Sequence, residues 1–113
     1  MRIISQDGAS DVPYERYSVC AIKDEHRNIY HIVCDYSEKT HRRLAEYSTE
    51  AKAIKAMEML REQYSRIEII KALASGTCKH MEESLKPEEF KDILKKYINM
   101  EVFQFPQDDE IEV

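Results

Sequence analysis

Residues 48–64, STEAKAIKAMEMLREQY, constrain this chain more than any other stretch. Ala51, Ala53 and Ala56 favour helix strongly, and neither Gly nor Pro interrupts the run. Ser48 and Thr49 offer hydroxyls to the orphan N–H groups of a first turn. Glu50 places negative charge near the positive end of the helix dipole. At helical spacing Ala53, Ile54, Met57, Leu60, Tyr64 and Ile67 fall on one stripe, with Lys55, Glu58, Arg61 and Glu62 mostly outside it. The spacing predicts one amphipathic helix laid across a small sheet made by the residues before it, with Ile54, Met57, Leu60 and Tyr64 buried. Met57 and Met59 read as gap-filling packing residues.

The preceding residues supply the strands. Residues 2–5 form a short first strand, ended by the turn-prone Gln6-Asp7-Gly8. Pro13 lacks a donor, so residues 11–14 read as an edge or an irregular extended piece. Residues 17–23 read as a strand, 24–28 as a hairpin turn, and 29–35 as the clearest strand of the chain. Tyr30, Ile32 and Cys34 share one face of that strand; Ile29, His31 and Val33 share the other. Both faces are fairly apolar, which marks it as central. After a turn at 37–40, residues 42–47 complete an antiparallel meander and run directly into the helix.

Beyond Tyr64 the pattern changes, because Ile69, Ile70 and Leu73 point away from the first stripe. Either the helix bends near Ser65 or a second one begins there and ends at Ser75-Gly76, with Gly76 as a left-handed cap. Residues 77–85 read as a short helix or a loop. Pro87, followed by Glu88 and Glu89, opens another helix with Phe90, Ile93, Leu94, Tyr97 and Ile98 as its stripe. Residues 101–105 look like a last strand, stopped by Pro106. The expected class is α+β: a small antiparallel sheet (three-stranded meander plus terminal strands), a helix packed on one face, and additional C-terminal helices. It forms a single domain, 1–113. Within it, 1–64 hold the sheet and main helix, 65–99 a variable helical part, 100–106 a terminal strand, and 107–113 an acidic tail that frays.

Composition narrows the function. A chain of 113 residues supports one modest core. A formal net charge of −5 argues against a general nucleic-acid binder that works by neutralising phosphates. The 3 Cys, at 20, 34 and 78, are odd in number and lack a CxxC spacing, so they read as thiols in a reducing cytoplasm. The N-terminal apolar run is too short for a signal peptide, and nothing approaches a membrane-spanning length.

Candidate chemistry is sparse. Cys20, His26, His31 and Cys34 lie in one hairpin, but an odd separation puts His31 and Cys34 on opposite faces, so no metal site is expected there. Cys78 and His80 are close in sequence, yet no nucleophile elbow or oxyanion loop accompanies them. Gly8 and Gly76 stand alone, so there is no phosphate-cradling loop. No cofactor is expected. His41, Arg42 and Arg43 form a small basic cluster at a strand start, and Asp108, Asp109 and Glu110 an acidic one near the C-terminus. Both are candidate partner-binding surfaces, the acidic one as an imitation of nucleic-acid charge.

Three pieces carry a resemblance: the opening MRIISQDG with DVPYE, the central LAEYSTEAKAIKAMEML, and the closing FQFPQDDE. Together they resemble small uncharacterised proteins carried by phages, prophages and mobile elements of Gram-positive bacteria. The resemblance implies an accessory role inside a bacterial host cell and supplies no catalytic residues. The expected function is a non-enzymatic, cytoplasmic protein that binds a host or phage protein. Inhibiting or modulating a defence nuclease is one such role. The alternative is a small-ligand binder that sequesters a nucleotide, with His41, Arg42, Arg43 and the tyrosines as donors. A second copy of the chain is a further partner, through an exposed edge strand or the later helix.

Overall fold

Strand alternation through residues 29–37 sets the layers, and a computed structural model gives their arrangement. It describes the backbone of residues 1–37, 39–84 and 87–113, and the side chains of those residues other than 36, 73–84, 87, 90, 93, 94 and 97. β3 (Val19–Asp24), β4 (Ile29–Ser37) and β5 (Thr40–Tyr47) form the antiparallel meander, with β4 in the centre. Asn28, in the β3–β4 turn, takes a positive φ of 52°, a conformation Asn tolerates better than most residues. Ile32 and Cys34 point into the core with Leu44, Ala45 and Tyr47 from β5, and Tyr30 packs at its margin. Leu44 enters where a register shift between Ile32 and Val33 inserts an extra β5 residue.

The terminal strands pair with one another, as their extended apolar character suggests, but in a sheet of their own. β1 (Arg2–Ile4) runs antiparallel to β2 (Asp11–Pro13) and parallel to β6 (Val102–Gln104), in the order β2-β1-β6. Ile3 sits beside both Val12 and Phe103, and all three are buried. Between β1 and β2, Gly8 adopts a φ of 76°, which a side chain would strain. Ser5 and Asp7 close this turn: the Ser5 hydroxyl donates to Asp7, which accepts the Ala9 N–H, and Ser5 Oγ accepts the Ser10 N–H.

The main helix differs from expectation in length and in facing. α1 (Glu50–Ser84) is one helix of 35 residues, continuous through Ser65 and Gly76. It has no Pro, and a single interior Gly costs only about 1 kcal/mol. Thr49 is its cap, with Oγ1 accepting the Lys52 N–H at 3.2 Å. The fully buried residues are Ala53, Ala56, Leu60 and Ile67. Met57 and Tyr64 are half-buried, and Ile54 is 47% exposed. The small side chains at 53 and 56 let the helix approach the sheets closely, and that contact turns Ile54 outward.

α2 (Pro87–Met100) folds back against α1 and leads into β6. Its Ile98 is 63% exposed, outside the stripe assigned to it. The other stripe residues, Phe90, Ile93, Leu94 and Tyr97, and the side chains of Cys78 and His80, lie outside the described residues. α1 alone is about 52 Å long at 1.5 Å per residue, and the molecule measures 59 × 32 × 21 Å. Its radius of gyration of 17.1 Å exceeds the roughly 13 Å of a compact chain this size. The acidic C-terminal segment does not fray: it forms a 3-10 turn at Asp108–Glu110, and Ile111 is buried. No described helix is long and apolar enough to cross a membrane.

Candidate functional site

One residue of each candidate cluster, Arg43 and Asp108, flanks a junction where Gln6 ties the two sheets together. The Gln6 backbone N–H donates to the Leu44 carbonyl at 2.7 Å. Its side-chain amide then imitates a strand: Oε1 accepts the Glu46 N–H at 3.0 Å, and Nε2 donates to the Glu46 carbonyl at 3.2 Å. The same Nε2 reaches the Pro106 carbonyl at 3.0 Å, and the buried Tyr47 hydroxyl donates to that carbonyl at 2.8 Å. Burial, with Asp108 and Glu110 nearby, pushes the Tyr47 phenol well above its ordinary pKa, so it stays a donor.

Of the acidic residues, Asp108 holds the start of α1. It accepts the Ser48 N–H at 2.8 Å and the Ser48 hydroxyl at 2.9 Å, and pairs with Lys52 Nζ at 3.1 Å. The Ser48 N–H is the main reason its carboxyl lies below the usual range; Lys52 and the Ser48 hydroxyl reinforce it, against opposing desolvation. Glu110 accepts the Gln107 N–H within the terminal turn, and Asp109 is exposed. The basic residues diverge. His41 pairs with Asp35, Arg42 Nη1 reaches Ser10 Oγ at 3.5 Å, and Arg43 lies 4.0 Å from Glu46.

Two shallow clefts open here. One, of about 310 Å³, is lined by Gln6, Ile29, Glu46, Tyr47, Ser48, Gln107 and Asp108. The other, of about 120 Å³, is lined by Gln6, Asp7, Arg43, Leu44, Ala45 and Glu46. Of the three basic candidates, Arg43 lines the second of these clefts, accompanied by Asp7 and Glu46. Most polar groups at the junction are already engaged with one another, which makes it a structural tie between the sheets.

A second surface lies on the face of the meander turned away from α1. The register places Val33 between Cys20 and Arg43, and His31 between Ile22 and Glu46. Cys20 is exposed, Ile22 is 44% exposed, and Ile29 is half-buried beside them. Burial and the nearby Asp35 push the Cys20 thiol up, which keeps it protonated and poorly reactive. His31 is buried, with Nε2 3.6 Å from Asp24 Oδ2 and no hydrogen-bond partner for Nδ1 among the described residues. His31 and Cys34 lie on opposite faces, as alternation requires. Sequence reading assigned these residues to sheet packing. The signal for a surface is the pair of apolar side chains Cys20 and Ile22 on β3, which stay exposed beside the buried Val33 and His31 of β4.

No known family, curated protein or solved structure matches this chain.

Proposed function

We propose that this chain acts by binding another protein and performs no reaction of its own. The observation that carries the reading is the exposed apolar side of β3, where Ile22 and Cys20 face solvent beside the half-buried Ile29. They flank Val33 and His31 of β4, both buried, and the His31 Nδ1 has no hydrogen-bond partner among the described residues. Apolar surface of this kind, rimmed by Asp24, Asp35, Arg43 and Glu46, is the pattern of a protein contact site. The net charge of −5 favours a partner with a basic surface over nucleic acid. The resemblance to mobile-element proteins favours a partner from a bacterial host or phage, a defence nuclease among the candidates.

The test is affinity capture from host lysate with the full chain and with an Ile22→Glu variant. A protein retained by the wild type and lost with the variant supports the reading. Recovery of no protein under several conditions, or retention unchanged by Ile22→Glu, counts against it. The ligand-sequestering alternative has a weaker footing, since His41, Arg42 and Arg43 do not converge on one cleft.

A further inference from the structure

Sheet edges present unpaired N–H and C=O groups, and proteins usually block them. Three of the four edges here are blocked, each by a different device. The β2 edge is three residues long and carries Pro13, which has no N–H. At β6, Gln63 Nε2 donates to the Val102 carbonyl of the strand at 2.8 Å and to the Met100 carbonyl at the end of α2 at 2.7 Å. On β5, the Gln6 amide occupies Glu46 and the Gln6 N–H occupies Leu44, while the strand's other half carries His41, Arg42 and Arg43.

β3 is the exception. The Asp35 N–H donates to the Ser18 carbonyl at 3.1 Å, which makes Ser18 and Asp35 a hydrogen-bonded pair of the antiparallel ladder. By alternation Cys20, Ile22 and Asp24 also bond to β4, and Val19, Ala21 and Lys23 turn their backbone groups off the edge. Among the described residues no backbone bond reaches those groups. Ala21 is exposed, and the four residues 19–22, VCAI, carry no charge.

We propose that the β3 edge pairs with β3 of a second copy of this chain, antiparallel and centred on Ala21. The two meanders then form one six-stranded sheet across a two-fold axis. In this register Ala21 exchanges bonds with Ala21 of the second copy, and Val19 with its Lys23, in both directions. All outward groups of the three edge residues are satisfied by six bonds. No like charges meet: Lys23 lies opposite Val19, and the two Lys23 ammonium groups sit at opposite ends of the pair. On the outer face Cys20 lies opposite Ile22, apolar against apolar, and Asp24 opposite Ser18. Shifting the centre to Ile22 would bring the two lysines toward each other and set Cys20 against Asp24. Of these two registers the Ala21-centred one therefore complements itself, and Lys23 and Asp24 leave the edge locally neutral. Pairing also sets the two apolar outer faces side by side.

The test uses the full chain in light-scattering chromatography across micromolar to high-micromolar concentrations. The wild type is expected to approach twice its 13.4 kDa mass. Ala21→Lys and Ala21→Glu each place like charges opposite each other at the centre of the pair, and each is expected to run as a monomer with an unchanged circular dichroism spectrum. Mixing the two in equal amounts is expected to restore the dimer. A wild-type monomer throughout the range overturns the proposal. So does a dimer that survives both substitutions, which would place the contact elsewhere, or a mixture that stays monomeric. A wild type that stays monomeric alone but binds an added extended peptide in place of its own β3 likewise overturns it, in favour of a foreign strand.

Discussion

Replacing Gln6 with Ala tests whether one amide holds the two sheets together. The substitution removes three side-chain hydrogen bonds, to the Glu46 N–H, the Glu46 carbonyl and the Pro106 carbonyl. Each is worth about 0.5–1.5 kcal/mol net, and a half-buried site lets water recover part of the loss, so about 2–3 kcal/mol is expected. With an unfolding entropy of about 2.1 cal/mol/K per residue, that lowers Tm by about 10 °C. Urea unfolding is the primary assay, with the slope against denaturant unchanged if only stability has moved. Gln6→Glu separates the bonds. A carboxylate keeps the acceptor for the Glu46 N–H but faces two carbonyls with no donor, so at neutral pH it should be at least as destabilising as Ala. Protonation supplies a donor, which raises the folded-state pKa of the introduced group. The deficit should therefore be full above that raised folded-state pKa and shrink as pH falls from it toward the unfolded-state value of about 4.3. A Gln6→Ala change under 0.5 kcal/mol, or a Gln6→Glu deficit that does not vary with pH, would refute the bridging role.

Four further outcomes follow from packing and charge. Leu60→Ala removes a fully buried side chain from the contact of α1 with the sheets and should cost about 2–5 kcal/mol by chemical denaturation. Ile54→Lys, on the exposed side of the same helix, should stay within about 0.5 kcal/mol of wild type, and a core-sized loss would contradict the observed facing. Tyr47→Phe leaves the ring in place and removes only the bond to the Pro106 carbonyl, for an expected loss of about 1–2 kcal/mol. Asp108 has a folded-state pKa below its ordinary value, so it stabilises above the usual carboxylate range, and that contribution is lost as pH falls through the folded value. Asp108→Asn should lower stability at neutral pH and flatten the acid limb of the stability–pH curve; parallel acid limbs would rule the capping role out.

Local features of this fold are legible in the sequence and long-range ones are not. The alternation of Ile32 and Cys34 against His31 and Val33, the Thr49 cap and the edge position of Pro13 each follow from neighbours a few residues away. The main helix starts where its sequence predicts, but it continues past Ser65 and Gly76 and is turned differently about its axis. Hydrophobicity favours Ile54 as a buried residue, whereas close approach favours Ala53 and Ala56, and only the packed structure decides between them. Gly76 looked like a cap because glycine often ends helices, but α1 tolerates it in its interior. Gln6, Gln63 and Asp108 could not have been read as they act. Their partners lie between 37 and 100 residues away, and an amide or a carboxylate carries no periodicity to announce them.

That distribution bears on what the terminal motifs mean. The opening SQDG is committed to the Gly8 turn and the Gln6 bridge. The closing FQFPQDDE supplies Phe103 and Phe105 to the core, Pro106 to Gln6 and Tyr47, and Asp108 to the start of α1. Ser5, Gln6, Phe103, Phe105, Pro106 and Asp108 are spent on the body of the protein, while Asp7, Asp109 and Glu110 stay exposed, so a likeness carried by these segments speaks mainly to a shared framework and leaves the choice of partner open. On the proposed function, partner choice falls to side chains the framework leaves exposed, Cys20 and Ile22 of β3 first among them. Two proteins alike at their ends but different at these positions should therefore keep the same sheets while binding different proteins. Exchanging Cys20 and Ile22 between them should transfer binding with little change in stability, whereas replacing Gln6 or Asp108 with Ala should lower stability and leave binding where it was.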